Sequence, residues 1–146
     1  FQPALSVSER ALITRQLATL IAAGLPIEES LLAVSRQTEM PKTQKMLATV
    51  RARVLEGYSL ARSLEIYPKA FPDLFRATVA AGESSGHLDA VLNQLADFSE
   101  DQYESAMRVQ QALVYPVILF VLTWLVNKFL LKEIKESNFF FLIFVY

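Results

Sequence analysis

The chain has 146 residues, a hydrophobic fraction of 53%, a charged fraction of 20% and a formal net charge of −1. That length supports one domain with a real core. The balanced charge gives no electrostatic case for nucleic acid, whose binding needs clustered Lys and Arg. With no cysteine, disulfides, thiolate chemistry and cysteine metal sites are excluded, and the composition fits a reducing compartment. The chain starts at Phe1 with neither Met nor a basic-then-apolar leader, so no signal peptide is expected and the start reads as a fragment boundary.

The first element is signalled by Ser6-Val7-Ser8-Glu9, a capping box in which Ser6 and Glu9 each satisfy a free backbone amide. A helix is predicted to about Ala23, with Ile13, Leu17, Leu20 and Ile21 on one face. Gly24 is its expected stop, and Pro26 suits the first turn of a second helix carrying Ile27, Leu31 and Val34 inward. Glu28 and Glu29 then fall where the helix dipole favours carboxylates. Pro41 opens a third helix with Leu47, Val50 and Val54 inward, and Gly57 ends it. Ser59 caps a short fourth helix with Leu60 and Leu64 inward. A two-proline connector, 67–72, leads to a fifth helix from about Asp73 to Ala81. Residues 82–86 read as a break.

The sixth helix is expected to start near His87, with Leu88, Val91, Leu92, Leu95 and Phe98 as its buried stripe. It continues through Ala106 and Val109 with no Gly or Pro before Pro116. No segment alternates as strands do. The fold class is therefore all-α: a six-helix bundle whose last helix continues into a membrane-seeking segment.

That segment, residues 113–131, holds no charge before Lys128. As a helix it covers roughly 28 Å, close to the ~30 Å hydrocarbon core. Its Leu, Ile, Val and Phe residues favour insertion by roughly 6 kcal/mol, against up to about 3 kcal/mol for a central Lys. Lys128 lies near the end and can snorkel, and Pro116 lies near the start. The alternative is a core helix. Tyr115 and Trp124 either mark interface depth or fill space. Of all Lys and Arg, only Lys128, Lys132 and Lys135 follow the seam, with Arg108 just before it. Local charge alone would put the C-terminal side in the cytoplasm. Three regions follow: a bundle over 1–112, a span over 113–131, and a polar then apolar tail over 132–146 that reads as truncated or non-native. The tail's final apolar octet, 139–146, is too short to cross a bilayer.

Three constellations bear on chemistry. Gly82-Glu83-Ser84-Ser85-Gly86 matches G-x-S-x-G, the nucleophile elbow of serine hydrolases. The elbow needs a preceding strand and a downstream His. Here a helix is expected before it, and the only His, His87, is three residues from Ser84. A tight interhelical turn, with Ser84 or Ser85 capping the next helix, is the plainer reading. Glu28, Glu29, Glu83 and Asp89 sit at the starts of two expected helices. If those starts meet, Glu29, Glu83 and Asp89 could hold a hard cation such as calcium; otherwise they are carboxylates in water. The acidic stretch Asp97, Glu100, Asp101 and Glu104 reads as a solvated face or a contact for a basic partner. No phosphate loop and no zinc-binding His pair is present.

Several motifs in order carry a resemblance. They are Leu25-Pro26 after Gly24, Gly57-Tyr58-Ser59-Leu60-Ala61 with Leu64, and Tyr67-Pro68 with Phe71-Pro72. Ala81-Gly82-Glu83-Ser84-Ser85-Gly86-His87-Leu88 and Tyr115-Pro116 complete the set. Over about residues 5–122 the chain resembles the F domain of the type II secretion inner-membrane platform protein, shared with the platform protein of type IV pili. The resemblance implies a cytoplasmic six-helix bundle followed by a transmembrane helix in the bacterial inner membrane, and no enzymatic activity or cofactor. It implies contact with the secretion ATPase and a neighbouring membrane component, and support for assembly of pseudopilins; contact with membrane lipid is expected from the apolar span, and exposed helix surfaces offered to partners leave a homodimer as a further option. Family members carry two such domains and about three spans, so this chain reads as part of one. The topology implied by the family, with the bundle in the cytoplasm, is preferred over the local lysine count.

Overall fold

The computed structural model describes residues 4–145, with side chains through Leu130 and at Lys132, Ile143 and Phe144. The side chains of 139–142 and residue 146, most of the apolar tail, lie outside the described residues. Six helices follow in order: α1 (Val7–Ala22), α2 (Ile27–Gln37), α3 (Pro41–Leu55), α4 (Leu60–Leu64), α5 (Asp73–Ser85) and α6 (Leu88–Val145). Among the described residues there is no strand. The chain forms two compact units, one running to Glu104 and the other from Ser105. This division precedes the polarity change at Leu113.

In the first unit each helix packs on the next, from α1 through α5. The core gathers Ile13 and Leu17 of α1, Leu31 and Val34 of α2, and Met46, Leu47 and Val50 of α3. Leu60 and Leu64 of α4, Phe75 and Val79 of α5, and Leu88, Leu92 and Leu95 of α6 complete it. These are the positions that the 3.6-residue period selects. Phe71 of the connector also enters the core and meets Phe75 with ring centroids 5.4 Å apart. At the rim, the guanidiniums of Arg53 and Arg62 lie 4.5 and 5.8 Å from the Tyr58 ring centroid.

The caps explain where the helices begin and end. Ser6 accepts from the Glu9 amide while the Glu9 carboxylate accepts from the Ser6 amide, closing the predicted capping box. Helices α1, α3 and α5 each close on a glycine with positive φ: Gly24, Gly57 and Gly86. In each, the glycine amide bonds back three residues and the next amide bonds back five, as at Gly86 to Glu83 and His87 to Gly82.

Three expectations are corrected. Helix α5 runs on through Ser85, so the break shrinks from 82–86 to Gly86-His87. Phe98 does not join the core and is 52% exposed. It lines an open groove with Leu74 and Phe75 of α5. Pro116 lies in the interior of α6, where it supplies no N–H to the carbonyl four residues back.

Gly82 has ordinary helical dihedrals, so its smallness has another cause. A Cβ there would lie 3.0 Å from Val91 Cβ and 3.2 Å from Leu88 Cα. Gly82 therefore sets how closely α5 and α6 approach within the bundle. Gly82→Ala is expected to destabilise the bundle by about 1–3 kcal/mol through overpacking. Gly86→Ala is expected to cost about 1–2 kcal/mol through backbone strain at φ 74°. Denaturant titration in detergent should separate the two causes: Asn, which tolerates left-handed backbone, should largely rescue position 86 and fail at position 82.

Candidate functional site

The Gly-Glu-Ser-Ser-Gly motif lies at the C-terminal end of α5, and its first task is structural. A five-residue helix such as α4 offers few intrahelical bonds and leaves its leading amides without partners. Glu83 supplies them across the bundle. Its Oε1 accepts from the Leu60 amide at 2.6 Å and its Oε2 from the Ala61 amide at 3.0 Å. Ser59 Oγ accepts from the third amide, Arg62, at 3.2 Å. The carboxylate charge also faces the positive end of the α4 dipole. The Glu83 side chain is half-buried, which strengthens these contacts relative to a surface cap.

The serine elbow is not formed. Ser84 Oγ donates to the Ala80 carbonyl at 2.9 Å, while His87 Nδ1 lies 2.8 Å from the Ser85 carbonyl. The motif follows a helix, not a strand. Nor do the serines cap α6, as the turn reading expected: Ser85 Oγ donates to the Gly82 carbonyl within α5.

Among the described residues no group of three or more His, Asp or Glu side chains is placed to hold a metal, so the fold does not bring Glu29, Glu83 and Asp89 together as one set of ligands. The physical reason is plain at Glu83: both oxygens already serve the α4 amides.

A polar hub that sequence reading missed centres on Arg15 of α1. Its Nε and Nη2 donate to the two carboxylate oxygens of Glu100, each at 2.8 Å. Nη1 donates to Asn93 Oδ1 at 3.2 Å, and Nη2 also pairs with Asp97. Asp97 and Glu100 are thus not a plain solvated face. Glu100 first, then Asp97, raises the Arg15 pKa above its ordinary value. Arg15 in turn holds the Glu100 carboxyl below its usual 4.5. Arg10, one turn earlier, donates to the Ala70 carbonyl at 3.1 Å, and burial lowers its pKa. A helical-wheel pairing of α1 with the acidic i, i+3 spacing of Asp97 and Glu100 was the available signal.

The second unit presents a different surface. Helix α6 is the one helix among the described residues long and apolar enough to cross a membrane. Residues 113–130 are exposed throughout, which removes the core-helix alternative within this chain. The Thr123 hydroxyl donates to the Leu119 carbonyl at 2.8 Å. Lys128 places its ammonium 5.0 Å from the Trp124 ring centroid, so its charge lies against an aromatic face.

Two outcomes test this geometry. Glu83→Ala should destabilise the bundle by about 2 kcal/mol and Glu83→Gln by about 1 kcal/mol, since the amide keeps one acceptor oxygen. Hydrogen exchange should show the loss first at the Leu60 and Ala61 amides. The depressed Glu100 group gives stability that is present above its ordinary value of 4.5 and lost as pH falls through its lower folded value. Arg15, raised and protonated throughout, adds no slope of its own. Arg15→Met should therefore flatten the acid limb of a stability–pH curve below 4.5, a modest change for a solvent-exposed network.

Comparison with known proteins agrees with this architecture. The family described as type II secretion system, protein F, matches residues 13–131. The chain is similar to type II secretion system protein F of Pseudomonas aeruginosa, 55% identical over 131 residues, covering 90% of this chain and 32% of that protein. It is 50% identical over 134 residues to type II secretion system protein F of Vibrio cholerae, covering 92% of this chain and 33% of that protein. Type IV pilus assembly protein PilC of Thermus thermophilus is 39% identical over 128 residues, covering 88% of this chain and 31% of that protein. The chain thus spans about a third of the length of the curated relatives it matches.

Proposed function

The chain belongs to the type II secretion system protein F family, and from that premise we propose that it is part of a non-enzymatic inner-membrane platform component of type II secretion. In this reading the bundle lies on the cytoplasmic side, contacts the secretion ATPase and a neighbouring membrane component, and supports assembly of pseudopilins. The observation that carries the reading is a match at about half identity that covers most of this chain and about a third of protein F, on a chain whose apolar helix is exposed along its length.

The site geometry supports a scaffold. Glu83, Gly82, Gly86 and Arg15 all have partners inside the bundle or set its packing. The Ser84 and His87 side chains are turned to backbone carbonyls, which favours a structural role over hydrolysis. The membrane arm follows from physics: an exposed apolar helix of this length gains several kcal/mol in hydrocarbon.

A second reading, a platform protein of type IV pilus assembly, is favoured by the likeness to PilC. Complementation separates the two. In a host lacking its own protein F, the full-length protein containing this chain should restore export of a type II substrate and co-purify with the secretion ATPase from detergent extracts. Restoration of pili in a host lacking the pilus platform, with no rescue of export, would transfer the assignment to the second reading.

A further inference from the structure

A groove of the bundle lies away from the Gly-Glu-Ser-Ser-Gly corner, between the start of α1, the first turns of α3 and the connector before α5, with a volume of about 780 Å³. Its floor is apolar: Leu5, Met46 and Tyr67 line it, and Met40, 55% exposed, stands at its edge. Its rim is cationic. Lys42 and Lys45 project from one side of α3, three residues apart, and Lys69 comes from the connector. Among the described residues none of the three has an ion-pair partner. The first turn of α3 contains no acidic residue. Glu9 is the one carboxylate lining the groove, and its Oε2 already accepts from the Ser6 amide and hydroxyl at 2.9 and 2.7 Å. Glu39 faces the neighbouring depression, which Glu9 also lines.

We infer that this groove docks an acidic, amphipathic peptide segment of a protein partner, seating an apolar side chain against Met40 and Tyr67 with carboxylates against Lys42, Lys45 and Lys69. Charge complementarity commits the occupant. Three unpaired ammonium groups around a single engaged carboxylate leave a local positive field in a chain of net charge −1. The floor decides the rest. A free inorganic anion would leave the exposed Met40 side chain and the half-buried Tyr67 ring uncovered, whereas an apolar side chain of a peptide covers them. The volume falls in the usual range for ligand pockets. Methionine suits such a floor because its flexible, polarisable thioether adapts to different side chains. This surface is read from the bundle alone and stands whichever machine the chain serves.

The test uses the full chain in nonionic detergent, with circular dichroism as a control of folding. Two fluorescent peptides of about twelve residues serve as probes: one alternating Asp or Glu with Leu and Phe, the other with Asn and Gln in place of the acids. The acidic peptide should bind with an affinity that falls as salt rises. Combined Lys42→Glu, Lys45→Glu and Lys69→Glu should weaken it by about tenfold or more, while Lys-to-Arg replacements at the same sites retain it. Met40→Asp should weaken it independently. Equal binding of the neutral peptide, undiminished binding by the charge-reversed chain, or no binding of the acidic peptide overturns the inference. Binding of phosphatidylglycerol vesicles by a truncation-free chain that depends on the three lysines, with the acidic peptide unable to compete, also overturns it and assigns the groove to a lipid surface.

Discussion

The bundle depends on one carboxylate. Helix α4 has five residues, and no helix that short is stable on its own. Glu83 reaches from α5 to its first two amides, and Ser59 takes the third. With the cap in place, Leu60 and Leu64 enter the core alongside Val79 and the α3 side chains. The neighbouring residue answers a different constraint. Gly82 has no side chain because α6 passes within contact distance of where one would stand. Gly86, four residues later, ends α5 by adopting a conformation that L side chains resist. One short segment therefore joins α4, α5 and α6. A pattern that looks like a nucleophile elbow in one dimension is a corner brace in three.

Local signals made much of this fold legible. The Ser6 box, the Gly24 and Gly57 stops, the Ser59 cap and the apolar period along α1 to α4 act over a few residues, so the chain displays them directly. What stayed hidden acts over long separations. Nothing near Glu83 indicates that its partners are Leu60 and Ala61, and nothing near Arg15 points to Glu100. The dihedral freedom of glycine makes Gly82 look like part of a turn. Tight packing against Val91 accounts for it instead, and α5 continues. Phe98 follows the apolar period but stands at an open groove beside Leu74 and Phe75, so periodicity alone places it wrongly.

The family was legible for a different reason. The ordered motifs identify a family, and the exposed apolar helix identifies a membrane-competent element; neither needs a catalytic constellation. The carboxylates that suggested a cation site are held apart by the bundle, with Glu83 already committed to backbone amides. Charge distribution matters more than charge total in this molecule. Acidic groups near Arg15 are matched within the bundle, whereas the lysines around the methionine-floored groove are not.

The internal hydrogen bond of Thr123 has a consequence for neighbours in the bilayer. It is the one aliphatic hydroxyl between residues 113 and 126, and its own backbone satisfies it. That stretch consequently carries its polar side-chain donors at two aromatics, Tyr115 and Trp124. Between them, contact with acyl chains or another helix falls to contour, the ridges of Leu, Ile and Val and the notch beside Pro116, and not to a serine-like latch.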